Sequence, residues 1–109
     1  MPPTLVATHN LDSLLMTLPD MTPTEVSLVE RAYHKAEQAH EGQLRKSGEP
    51  YFTHCVEAAH ILAEMHLDAE TIAAGLLHDV LEDTPIKLGE LSTEFGSTVA
   101  TIVDGVTKL

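Results

Sequence analysis

Cysteine, aromatic residues and basic residues are all scarce in this chain of 109 residues. Cys55 is the only cysteine, which excludes an internal disulfide. Lys and Arg number six against seventeen Asp and Glu, and the formal net charge is −11. Because such a surface repels phosphates, general binding to nucleic acid or to acidic membranes is not expected.

Long apolar runs are also lacking, and with them any signal peptide or segment of membrane-spanning length. The default prediction is therefore a cytoplasmic protein. Four aromatic residues and no Trp leave little bulk for a core, but a hydrophobic content of 43% suffices for one. The length sets an upper limit of one small domain.

What is present is a succession of helical patterns with short breaks, which predicts an all-α fold. Thr22, Pro23 and Glu25 form a capping-box start with proline in the first helical position. Residues 1–21 are weakly patterned and are predicted to be a poorly structured N-terminal segment with one short helix. The predicted helices span 11–18, 23–41, 53–65, 69–83 and 88–95, with a last one capped by Ser97. Side chains predicted to be buried in the third and last helices are Val56, Ala59, Ile61, Leu62, Met65, Val99, Ile102, Val103 and Val106.

The end of the fourth predicted helix carries the densest chemistry. His78, Asp79, Glu82 and Asp83 stand at i, i+1, i+4 and i+5, so a continuous helix places them on one face. Carboxylates at a helix C-terminus face the negative end of the macrodipole, and a bound divalent cation would remove that penalty. A solvated helix end with a buried, hydrogen-bonded histidine explains the same pattern equally well, so this stretch alone decides nothing.

A basic pair in an acidic chain marks a second region. Arg45 and Lys46 are adjacent in a loop that contains two glycines, which suggests an anion site, although an ordinary solvated loop is the simpler interpretation. His54 follows at the start of the next helix. Two antiparallel helices with a short connection would bring His54 beside His78 and Asp79, where the three can bind one ion.

Four segments together resemble the N-terminal hydrolase domain of the RelA/SpoT family, whose members make and degrade the alarmones ppGpp and pppGpp. They are residues 42–54 (GQLRKSGEPYFTH), 76–84 (LLHDVLEDT), 95–96 (FG) and 103–109 (VDGVTKL). The resemblance extends from about Val26 to the last residue. These motifs are long and ordered, which makes them far more specific than a His-Asp pair.

The resemblance implies an HD-type helical bundle over residues 22–109 that binds one Mn²⁺ and converts (p)ppGpp to GDP or GTP and pyrophosphate. His54, His78 and Asp79 correspond to its metal ligands. Glu82 and Asp83 correspond to the acidic pair that orients or deprotonates the attacking water. Residues that correspond to the family's guanosine and phosphate contacts are Arg45, Lys46 and Ser47. Imidazole and carboxylate ligands also accept Fe²⁺ or Zn²⁺, so the choice of Mn²⁺ rests on the resemblance.

Two departures from the family pattern matter. Cys55 replaces a common proline and is predicted to be a buried structural thiol rather than a ligand. The family's further Asp ligand lies beyond the position of Leu109, so the bundle is expected to be incomplete at its C-terminus and the fragment weakly active or inactive. Apolar surface left at Val106 and Leu109 predicts a homodimer.

Three functions remain open from the sequence. The first is the alarmone hydrolase domain of a parent that either only degrades or also synthesises (p)ppGpp. The second is an HD-type phosphohydrolase of another nucleotide, against which the basic loop argues. The third is a non-catalytic regulatory module of a synthetase, against which the intact ligand and acidic residues argue.

Overall fold

The computed structural model describes residues 10–107, and within them the chain is helical and forms no paired strands. This confirms the predicted all-α class. The helices are α1 (Leu11–Met16), α2 (Pro23–Ala39), α3 (Tyr51–Glu64), α4 (Ala69–Leu77), α5 (Val80–Asp83), α6 (Leu88–Phe95) and α7 (Ser97–Thr107). In this part of the chain, no helix combines the length and the apolar character needed to cross a membrane.

Local capping explains several of these boundaries. Thr22 accepts a hydrogen bond from the Glu25 amide at 3.2 Å, and the Glu25 carboxylate accepts one from the Thr22 amide at 2.9 Å, as the capping box predicts. Asp68 caps α4 by accepting from the Thr71 amide at 2.8 Å. Gly42, at φ +82°, follows the end of α2, where a left-handed conformation favours glycine.

Helix α4 lies at the centre of the bundle and packs against α2, α3 and α7. Ile72, Leu76 and Leu77 are fully buried there. The contact with α3 is close because Gly75 has no side chain: a Cβ at that position would lie 2.6 Å from the Leu62 side chain. This close antiparallel packing brings the start of α3 to the end of α4.

Three residues predicted to be buried are exposed: Ile61 (59%), Met65 (62%) and Val106 (42%). Ile61 lies two residues after the buried Ala59 and therefore about 200° around the helix. Met65 caps α3 at its end. Val106 borders an open apolar groove between α3, α4 and α7. The predicted dimer contact at Leu109 lies outside the described residues.

The single helix predicted over residues 69–83 is wrong, because the chain turns at His78 and Asp79 and divides it into α4 and α5. In a continuous helix the Gly75 carbonyl would accept from the Asp79 amide. Instead, the imidazole Nδ1 of His78 lies 2.6 Å from that carbonyl oxygen. A side chain that competes for a backbone acceptor in this way interrupts a helix, and Asp79 adopts φ −101°, ψ 1°.

Candidate metal centre

His54, His78 and Asp79 meet where the start of α3 faces the turn between α4 and α5. The two imidazole rings have centroids 5.6 Å apart. One ligand atom from each of the three residues lies within 4.8 Å of the others, and each residue is half-buried. The juxtaposition expected from antiparallel helices with a short connection is therefore confirmed.

The orientation of His78 suits metal binding. Its Nδ1 donates to the Gly75 carbonyl, which can only accept, so Nδ1 carries a proton. In the neutral ring the lone pair is then on Nε2, which lies 2.9 Å from Oδ2 of Asp79. Both atoms are electron-pair donors, so they can share a proton or bind one cation together. This donor set fits a divalent transition metal ion.

Tyr51 orients the carboxylate of the same centre. Its hydroxyl donates to Oδ2 of Asp79 at 2.5 Å. Burial and the hydrogen bond to Asp79 raise the pKa of Tyr51 above its usual value, so the hydroxyl stays protonated and remains a donor. Sequence analysis missed this residue because the third helix was predicted to begin at residue 53, whereas α3 begins at Tyr51, one turn before His54.

Replacing Tyr51 with Phe is expected to weaken the binding of a divalent metal ion at this cluster by about 10- to 100-fold, because the Asp79 carboxylate loses the donor that orients it. The ring and its packing remain, so the melting temperature should change little. Titration calorimetry with Mn²⁺ measures the effect, and Tyr33→Phe on α2 is the matched control. Unchanged affinity in the Tyr51 variant would show that Asp79 needs no such support.

Cys55 is fully buried, and its sulfur does not belong to the group of ligand atoms formed by His54, His78 and Asp79. Burial, together with the negative charges of Asp79 and Asp83, raises the pKa of the Cys55 thiol to about 12. A protonated thiol is a poor metal ligand. These observations agree with the predicted structural role.

The acidic pair occupies the single turn of α5. Glu82 and Asp83 are both exposed, whereas Val80 at the start of that turn is buried in the core. The sequence predicted that the pair shares one continuous helix with His78 and Asp79. This prediction is wrong, because α4 and α5 are separate helices. The Asp79 carbonyl accepts a hydrogen bond from the Asp83 amide at 3.0 Å. This bond and the buried Val80 side chain hold the turn directly beside the candidate ligands.

The basic loop is a tight hairpin. The Arg45 amide donates to the Glu49 carbonyl, the Gly48 amide donates to the Arg45 carbonyl, both at 2.8 Å, and Gly48 has φ +92°. Lys46 and Ser47 lie at the exposed tip. Neither Arg45 nor Lys46 forms an ion pair with the described residues. Their charges are therefore available to an anion.

The other basic residues of the described helices are engaged in the fold. Lys35 pairs with Glu94 at 3.0 Å and with Glu90, which links α2 to α6. Arg31 donates to the Glu94 carbonyl at 2.8 Å and lies over the Phe95 ring. Lys87, exposed before α6, likewise forms no ion pair with the described residues, so the hairpin is distinguished by carrying two adjacent cations.

Comparison with known proteins places this arrangement in a family. The model of the HD domain matches residues 32–109. A Haemophilus influenzae protein named guanosine-3′,5′-bis(diphosphate) 3′-pyrophosphohydrolase is 61% identical over 74 residues, which are 68% of this chain and 11% of that protein. The Escherichia coli bifunctional (p)ppGpp synthase/hydrolase SpoT is 50% identical over 102 residues, 93% of this chain and 14% of the relative. A probable GTP pyrophosphokinase of Mycobacterium leprae is 54% identical over 84 residues, 77% of this chain and 11% of the relative.

The chain thus spans 11–14% of the length of these curated relatives. The matched region includes the hairpin, the candidate ligands His54 and His78, and the acidic turn. This chain belongs to the HD domain family, and within that family its relatives are alarmone proteins of the RelA/SpoT type.

Proposed function

We propose that this chain is a metal-dependent (p)ppGpp 3′-pyrophosphohydrolase domain. The observation that carries the proposal is the meeting of His54, His78 and Asp79 within 4.8 Å beside an acidic turn. The names of two relatives support the substrate: one is a guanosine-3′,5′-bis(diphosphate) 3′-pyrophosphohydrolase, and the other is a (p)ppGpp synthase/hydrolase.

The cofactor in this proposal is one Mn²⁺, held by His54, His78 and Asp79. When bound, a divalent cation supplies Lewis-acid chemistry, because it screens phosphate charge and lowers the pKa of water. Imidazole and carboxylate donors suit this class of ion. A cytoplasmic location, where the substrate nucleotide would be found, belongs to the same proposal.

The remaining chemistry falls to the residues of the chain. Arg45, Lys46 and Ser47 hold the guanosine and its phosphates, since the hairpin offers two cations and a hydroxyl that the fold does not use. Glu82 and Asp83 orient the attacking water and accept its proton. The water oxygen bonds to the phosphorus attached to the 3′-oxygen, the bond to that oxygen breaks, and the 3′-oxygen takes up a proton. The products are GDP or GTP and pyrophosphate.

A single-turnover assay tests this function even if turnover is slow. The protein is placed in excess over ppGpp with Mn²⁺, and GDP and pyrophosphate are quantified over time. We expect both products in equal amounts with Mn²⁺, formed at the low rate predicted for this fragment, and neither when the metal is chelated. A panel with other nucleoside di- and triphosphates is run in parallel. Hydrolysis of another nucleotide without hydrolysis of ppGpp would contradict the proposal in favour of a different HD-type phosphohydrolase.

A further inference from the structure

The side chain of Gln43 joins two parts of the candidate site that are forty residues apart. Its amide Nε2 donates to the backbone carbonyl of Asp83 at 2.9 Å. Because that carbonyl can only accept, the orientation of the amide is fixed, and Oε1 points the other way. Oε1 lies 3.0 Å from Nδ1 of His40, which therefore donates to it.

His40, the partner of the Gln43 side-chain oxygen, is buried. It is 2% exposed, and its ring lies against that of Tyr51 with centroids 5.0 Å apart. Its other nitrogen, Nε2, has no hydrogen-bond partner among the described residues. The Gln43 side chain is therefore the hydrogen-bond partner of the buried His40 ring. Losing this bond would leave a buried polar group without a partner, which is unfavourable.

The backbone of Gln43 forms the foot of the hairpin. Its amide donates to the His40 carbonyl at 3.0 Å, and its carbonyl accepts from the Tyr51 amide at 2.9 Å. One residue thus contacts the end of α2, the base of the hairpin, the start of α3 and the end of α5.

Helix α5 needs such a contact because it is only one turn long. A single helical turn is not stable alone, and the carbonyl groups in its last turn have no helical partners. Val80 anchors its beginning in the core. Thr84 adds local hydrogen bonds to the Val80 carbonyl, one of them from its hydroxyl at 2.7 Å. Gln43 ties its end to a segment distant in the sequence.

We propose that Gln43 is a positioning residue that fixes the acidic pair Glu82–Asp83 relative to the nucleotide-binding hairpin. It acts through the Asp83 backbone and does not contact the reacting atoms. The inference rests on the proposed function, since it assumes that the hairpin binds the substrate and that the pair acts on water. If Gln43 has this role, the rate of the chemical step depends on Gln43, whereas the affinity for the metal ion does not.

Two variants separate the contacts. Gln43→Leu removes both side-chain hydrogen bonds, whereas Gln43→Glu keeps the acceptor for His40 and loses the donor to Asp83. Gln38→Leu, on the exposed side of α2, is the matched control. For ppGpp hydrolysis with Mn²⁺ we expect kcat to fall about tenfold or more in both Gln43 variants. In Gln43→Leu, KM and Mn²⁺ affinity should stay within about threefold, since this change alters neither the hairpin charges nor the ligands.

Amide hydrogen exchange tests the structural half without metal or nucleotide. The amides of Asp83 and Thr84, which close α5, should exchange faster in both Gln43 variants, while α3 amides keep wild-type protection. Unchanged exchange in α5 would overturn the proposal, as would faster exchange with wild-type kcat. Loss of protection in every helix of both variants would also overturn it, because Gln43 would then support the whole fold. If the wild-type protein does not hydrolyse ppGpp, the proposed function fails whatever the exchange shows.

Discussion

Replacing Glu82 and Asp83 together with Ala is expected to lower the rate of ppGpp hydrolysis by about 10²- to 10⁴-fold and to leave Mn²⁺ bound. Both side chains are exposed on the single turn of α5, so their loss removes a proton acceptor without opening the core. Single-turnover kinetics measure the rate, and metal analysis after gel filtration measures the bound ion.

The control for this variant must reproduce its change in charge. Glu64→Ala combined with Glu70→Ala removes two exposed carboxylates at the opposite ends of α3 and α4 from the candidate site. This control should hydrolyse ppGpp at the wild-type rate. Hydrolysis that survives the loss of Glu82 and Asp83 would show that the role proposed for the acidic pair is wrong.

Replacing His78 with Ala is expected to weaken Mn²⁺ binding by more than about 100-fold and to remove hydrolysis, because a direct ligand contributes more than its supporting contacts do. The variant also frees the Gly75 carbonyl from the imidazole. Titration calorimetry with Mn²⁺ measures the affinity. Circular dichroism checks that the helices persist.

His34→Ala provides the comparison for a histidine outside the site. His34 lies on the exposed side of α2, 3.6 Å from Glu37. The His34→Ala variant should bind Mn²⁺ with the affinity of the wild-type protein. Equal losses of affinity in the two variants, or wild-type affinity after replacement of His78, would mean that the ion binds elsewhere.

Sequence patterns predicted the helices and the meeting of the two histidines, because both depend on local signals. The capping box at Thr22 and the cap at Asp68 fixed helix starts, and a short connection made α3 and α4 antiparallel. The resemblance to RelA/SpoT proteins then supplied the family, which the comparisons confirm. Periodicity alone had left a metal site and a solvated helix end equally acceptable.

The break between α4 and α5 was not predictable from periodicity, which sees only the apolar spacing of residues 69–83. The break arises because the His78 imidazole forms a hydrogen bond with the Gly75 carbonyl. That bond depends on the side-chain rotamer of His78, which the spacing of apolar residues does not determine. The exposure of Ile61 and Val106 likewise depends on which neighbours cover each helix face. Gln43 and Tyr51 were missed because their partners, Asp83 and Asp79, are distant in the sequence.

A crystal structure of the protein with Mn²⁺, with anomalous diffraction to locate the ion, tests the central claim most directly. The account predicts one ion within about 2.5 Å of nitrogen atoms from His54 and His78 and of a carboxylate oxygen from Asp79. An ion bound away from these three side chains, or imidazoles that turn apart when Mn²⁺ is present, would contradict it.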